Sequence, residues 1–327
     1  MLRSGIAGAV LAGLLAGCSQ APAYHPPAVA LPAQFSENAG PWAPAAPARA
    51  DIDARWWHSL GDAQLDALED RLLADNPDLA AALARHQAAV ALLVQARADT
   101  MPQVSAGAQL TSNRQSDDRP LRGSGQPDEY GAHTLSGTAS FELDLWGRVR
   151  DSVRAARADA QAAADDAAAA RLALTADLAS TYIALRGADA EIAILTDAVD
   201  AYGKADAVTR HRFDEGVASG IDVGRADAQL ADAQAQLADE RANRAVLAHA
   251  VEALAGAPAG TMDLADHGVA LALLPAPAMV PSVLLQRRPD IAAAERRMYA
   301  ANRAIGVAKA ALYPQIGLGA TGGVQST

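Results

Sequence analysis

Two periodicities divide this chain. From Asp144 to Glu215, and again from Ser219 to Ala255, apolar residues recur at helical spacing, and no proline intervenes before Pro258. Phe141-Glu142-Leu143-Asp144-Leu145-Trp146-Gly147-Arg148 opens this run, and Gly216-Val217-Ala218-Ser219-Gly220 is its one break. The pattern predicts two long helices folded back on each other at a tight turn. In the first, Leu178, Leu185, Ile192 and Val199 follow a seven-residue step, joined by Ala188, Leu195 and Tyr202, which makes a coiled-coil seam. The second carries Leu230, Leu237, Leu247, Val251 and Leu254, and the Asp, Arg and Gln residues between read as solvated faces.

The second periodicity is two. Val104, Ala106, Ala108 and Leu110 alternate with Gln103, Ser105, Gly107, Gln109 and Thr111. Leu135, Gly137, Ala139, Phe141, Leu143 and Leu145 alternate with Thr134, Ser136, Thr138, Ser140, Glu142 and Asp144. Alternation over roughly ten residues fits a membrane-barrel strand. It fits equally a soluble hairpin with one wet face. Asn113 to Gly131 between the two stretches is a polar loop.

Before the strands, Trp56-Trp57-His58-Ser59-Leu60-Gly61-Asp62 introduces a helix faced by Leu65, Leu68, Leu72 and Leu73. Asn76-Pro77 ends it, and Pro77 starts a second helix that runs to about Asp99 and stops before Pro102. Past Pro258 the chain repeats itself. Asn76-Pro77-Asp78-Leu79 returns as Arg288-Pro289-Asp290-Ile291, and Met101-Pro102-Gln103-Val104 as Tyr313-Pro314-Gln315-Ile316, both at an offset of 212 residues. Ile316, Leu318 and Ala320 again alternate with polar or small residues, so a second copy reaches its own first strand. At 1.5 Å per residue, the helix from Asp144 spans roughly 105 Å, that from Ser219 roughly 55 Å, and one from about Val283 to Leu312 roughly 45 Å. The last two, end to end, match the first.

Composition sharpens the picture. Of 327 residues 51% are hydrophobic but only 4% aromatic, which points to close helix packing rather than a bulky core. A net charge of −11 argues against nucleic acid. Beyond the N-terminus no stretch of about 18 apolar residues stands out, so no transmembrane helix is expected in the mature chain. Arg3, the short apolar run Ile6 to Leu15, and Leu15-Ala16-Gly17-Cys18 read as a leader ending in a bacterial lipobox. Cys18 is the single cysteine and so has no intramolecular disulfide partner. An ordinary signal peptide with a chance cysteine is the alternative to lipidation. Ser19 in place of Asp fits outer-membrane sorting of a lipoprotein. The Pro- and Ala-rich stretch that follows, to about Arg49, is an extended tether.

Together, Cys18, Trp56-Trp57, Phe141 to Arg148, the turn Gly216 to Val223, and Arg287 to Ile291 with Tyr313-Pro314 resemble the outer membrane factor family, the TolC-like channels of tripartite efflux pumps, in its lipoprotein branch. The resemblance implies a mainly α fold with membrane β-strands: a long coiled-coil hairpin, barrel strands and a repeat architecture. It implies a homotrimer sharing one barrel, a passive conduit for small molecules in an RND-type pump, and partners in a periplasmic adaptor, an inner-membrane pump and outer-membrane lipid. Adaptor docking would map to Gly216, Val217, Ala218, Ser219, Gly220 and Asp222, although a plain helix turn also wants those glycines. Trp146 has two readings, a membrane-interface girdle residue or a core residue capping the helix bundle.

The expected organisation is a signal peptide at 1–17, a lipidated tether at 18–50, a first repeat at 51–258, an irregular connection at 259–282 and the start of a second repeat at 283–327. The first repeat holds strands at about 103–113 and 132–145 and the hairpin 144–256. A complete second repeat would run to roughly residue 470, so the chain is expected to be truncated or partial, and alone not to form a working channel, since open sheet edges do not suit a bilayer. Three other functions compete, one of them a purely structural envelope-spanning coiled coil, against which the alternating strands argue. A periplasmic adaptor lipoprotein would need β-rich domains flanking the hairpin. An enzyme would need a constellation that is missing here. His25, His58, His86, His133, His211, His249 and His267 form no metal-ligand pair, no Ser/His/Asp arrangement or phosphate loop stands out, and no cofactor or metal is expected.

Overall fold

The computed structural model describes residues 19–26, 55–116, 125, 127–264 and 287–326. The predicted leader, Cys18, most of the tether, residues 265–282 of the connection and 283–286 of the second repeat lie outside them.

The Asp62 carboxylate starts the first helix by accepting from the backbone N–H groups of Gln64 and Leu65, an N-cap for α1 (Ala63–Asp75). Trp56–Leu60 is a separate 3-10 turn, closed by Gly61. Asn76 then serves two helices. Its Oδ1 accepts from the N–H groups of Asp78 and Leu79 at the start of α2 (Pro77–Ala98), and its Nδ2 donates to Leu254 O at 2.9 Å. By length and composition alone α2 is apolar enough to cross a membrane, although it holds no unbroken run of about 18 apolar residues. Alanine brings it there rather than a run of large side chains, and Leu83, Val90, Leu92 and Val94 are exposed.

β1 (Gln103–Arg114), β2 (Glu129–Leu143) and β3 (Ile316–Ser326) form one antiparallel sheet in the order β1-β2-β3. Gln103 pairs with Ser140 and Arg114 with Glu129, and on the other side Leu143 pairs with Ile316 and His133 with Ser326. β2 ends at Leu143, so Leu145 lies past the sheet. β3, the strand of the second copy, is exposed along its whole length.

α3 (Arg148–Asp214) has 67 residues and α4 (Gly220–Leu254) 35, roughly 100 Å and 50 Å. α5 is Pro289–Ala310 and spans about 33 Å; residues 283–286 of the expected helix lie outside the described residues. Arg288 is non-helical and Pro289 takes the first helical position, as Pro77 does in α2.

The chain divides into two compact units, one drawn from residues 1–30, 85–165 and 289–327, the other from 31–84 and 166–288. In the second, Trp57, Leu65, Leu68, Leu72, Leu178, Tyr182, Leu185 and Val251 form the core. The seam is buried at Leu178, Leu185 and Ala188, but Ile192, Leu195 and Val199 are only half-buried and Tyr202 is exposed. The reading of the intervening Asp, Arg and Gln residues as solvated is corrected: Arg186, Asp189 and Asp206 are buried here and Asp151 in the first unit, and Glu252, of a type outside that reading, is buried here as well.

Candidate functional site

The sequence singles out the hairpin turn, Trp146 and Cys18. Cys18 lies outside the described residues. The turn is built from two caps with only Val217 and Ala218 between them. Gly216, at φ 76°, ends α3 in a Schellman motif: its N–H donates to Phe213 O, and the Val217 N–H reaches Arg212 O at 2.8 Å. Ser219 then caps α4 through a capping box. The Asp222 N–H donates to Ser219 Oγ, and the Ser219 N–H donates to Asp222 Oδ2 at 3.0 Å. Hydrogen bonds from the Ser219 hydroxyl and its backbone N–H hold the Asp222 carboxyl below the usual range.

This turn presents apolar surface. Val217 is 70% and Ile221 69% exposed, and Phe213 is partly exposed beside Gly220. Neither Phe213 nor Ile221 is among the six residues to which adaptor docking maps in the sequence. Behind them the Arg210 guanidinium bonds Asp206 on its own helix at 2.9 Å and Asp227 on α4. The Asp206–Arg210 spacing is legible as an i,i+4 pair. The partner across the turn is not.

Trp146 sits in the other unit, between β2 and α3, and is half-buried. Its ring stacks on Tyr313 at 4.6 Å and its Nε1–H donates to Pro314 O at 3.0 Å. It thus joins the strand-to-helix turn of the first copy to the helix-to-strand turn of the second. Gly147, at φ 79°, lets α3 begin immediately. Arg148 pairs with Glu142 and Arg150 with Asp144, tying the first turn of the helix to the end of the strand.

A third group was not read from the sequence at all. Arg186 donates to Asp189 at 2.7 Å, Arg244 of α4 donates to the same carboxylate, and both arginines reach Leu264 O. The Tyr182 hydroxyl donates to Asp62 at 2.8 Å. Burial and that hydrogen bond push its pKa up to about 12. The network ties α1, α3 and α4 to the start of the connection. Among the described residues no cluster of His, Cys, Asp or Glu is arranged to hold a metal.

This architecture, a hairpin of very long helices continuous with a strand sheet, is matched in known proteins. A family model described as outer membrane efflux protein matches residues 68–257 and 280–327. The chain belongs to the outer membrane efflux protein family. It is 33% identical over 330 residues to the outer membrane protein OprJ of Pseudomonas aeruginosa, covering 98% of this chain and 67% of OprJ. It is also 33% identical to the probable efflux pump outer membrane protein TtgC of Pseudomonas putida, with 99% and 67% covered. The solved outer-membrane channel OprN superposes with a TM-score of 0.79 at 27% identity, over 94% of this chain and 73% of that one. CusC superposes with a TM-score of 0.78 at 26% identity, covering 94% and 68%. The fold is therefore TolC-like, mainly helical with barrel-type strands, and the family's place is the outer membrane. The chain spans about two thirds of the length of the curated relatives it matches.

Proposed function

We propose that this outer membrane efflux protein forms part of the wall of a passive export conduit for small molecules, carrying no chemistry of its own. The observation that carries this reading is the continuity of β2 into the 67-residue α3 through Gly147. The strands on one side are exposed on nearly every residue, and their small and apolar side chains suit lipid or a neighbouring subunit rather than a core within one chain. Closing a barrel from such strands needs further strands, to which the other protomers of a homotrimer contribute.

In this reading Cys18 bears the lipid anchor, and Trp146 marks the level of the membrane interface, where an amphipathic ring with one polar tip is favoured. The tip residues Gly216, Val217, Ala218, Ser219, Gly220 and Asp222 dock a periplasmic adaptor, with an inner-membrane pump beyond it. Exposed Val217 and Ile221 supply the apolar part of that contact.

The test is single-channel recording in a planar bilayer from trimers of the chain carrying a complete second repeat, with the 327-residue chain in parallel. Steady conductance is expected from the first and none from the second. Completed trimers that insert yet carry no current would overturn the conduit reading. Labelling with a radioactive fatty acid, lost on Cys18→Ser, tests the anchor separately.

A further inference from the structure

Ser19, the residue after Cys18, does not leave the protein as a free tether. Its hydroxyl donates to Asp151 Oδ2, and its Oγ accepts from the Ala21 N–H at 3.2 Å. Asp151 is fully buried in the first turn of α3, and the same carboxylate pairs with Arg154 at 2.9 Å and with Arg303 of α5 at 3.7 Å. Further along, the Tyr24 ring meets Tyr299 edge-on at 5.2 Å and its hydroxyl donates to Glu295 O. Arg303 lies over the face of that same Tyr299 at 4.8 Å. One buried carboxylate thus collects a residue from the N-terminal segment, from α3 and from α5.

Gly306 is the notch that admits this arrangement. A Cβ there would lie 2.6 Å from Asp151 Oδ2 and 2.8 Å from the Ala21 nitrogen. The internal repeat shows that the face is particular to the second copy. At the 212-residue offset, Tyr299, Arg303 and Gly306 of α5 correspond to Gln87, Ala91 and Val94 of α2. Val94 is 59% exposed, so the first copy has neither the notch nor the aromatic and cationic partners.

We infer that residues 19–25 are a docked staple that joins the first repeat to the second, with Asp151 as its positioning residue and Gly306 as its seat. Because the staple touches α3 and α5 together, it docks only once those helices are packed side by side. The segment next to Cys18 therefore reports on, and holds, the junction between the repeats. The staple forms with or without a lipid on Cys18.

The test is hydrogen exchange of the full-length protein extracted from membranes, read on peptides covering residues 19–26 and α5. Wild-type protein should protect the 19–26 peptide. Ser19→Ala, Asp151→Asn and Gly306→Ala should each raise its exchange at least tenfold, and the Ser19→Ala/Asp151→Asn pair should do no more than Asp151→Asn alone. Val94→Gly should change nothing in that peptide. If Asp151→Asn unfolds the helices, Ser19→Ala decides, because losing one hydroxyl leaves both helices intact. A wild-type 19–26 peptide that exchanges like free chain, or one indifferent to Ser19→Ala and Gly306→Ala, overturns the staple. Cys18→Ser is run in parallel: protection that survives it separates the staple from the anchor.

Discussion

The hydroxyl of Tyr182, midway along α3, donates to the carboxylate of Asp62 that caps α1. Both groups are buried. The pair fastens a helix terminus to a helix flank 120 residues away. Tyr182→Phe removes the donor and leaves one lone pair of the buried Asp62 carboxylate unmet. The expected cost is about 1–2 kcal/mol, visible as a lower thermal midpoint with unchanged helix content. Asp62→Ala should cost more, because it removes the cap as well.

Gly256 follows the last turn of α4 at φ 71°, and a Cβ there would sit 2.7 Å from Asp75 O. Both the conformation and the space forbid a side chain. Gly256→Ala should therefore destabilise by more than about 1 kcal/mol, whereas Gly260→Ala, also at positive φ but with open space, should cost less. Parallel thermal melts of the two variants check the difference.

Much of this fold is legible in the sequence, because long amphipathic helices and alternating strands declare their period. The turn at Gly216 and the cap at Pro77 are local chemistry and are read locally. What is missed depends on partners far along the chain. Arg186, Asp189 and Arg244 look like solvated helix charges until α3 and α4 are side by side and Leu264 O arrives between them. Nothing local marks Ser19 as a partner of Asp151. Leu178 and Tyr202 both fit a coiled-coil seam, yet only the first is covered within this chain.

Glu69 gives a pH-dependent prediction. It is fully buried on α1, and burial, with Asp66 and Asp70 nearby, raises its pKa to about 8. The folded protein then holds a proton that the unfolded chain releases near the ordinary value of 4.5. The stabilising effect of that proton is complete below the unfolded value and is lost as pH rises through about 8. Stability should therefore fall between these limits. Glu69→Gln keeps the shape without the charge. It should raise the thermal midpoint at pH 8 and flatten its dependence between pH 5 and 8. A wild-type curve already flat over that range would refute the assignment.

The turn offers a prediction that separates folding from docking. Ser219→Ala breaks the capping box and should cost about 1 kcal/mol of helix stability, with the exposed surface of Val217 and Ile221 unchanged. Val217→Asp with Ile221→Asp does the reverse. Both side chains are largely in solvent, so the fold should hold, while an apolar contact made there loses its contributors and gains two charges to desolvate. If the tip docks an adaptor, the double variant should weaken adaptor cross-linking at least tenfold and Ser219→Ala by far less. Equal losses in both would mean that turn geometry, rather than this apolar surface, carries the contact, and no loss in either would move the docking surface away from the tip.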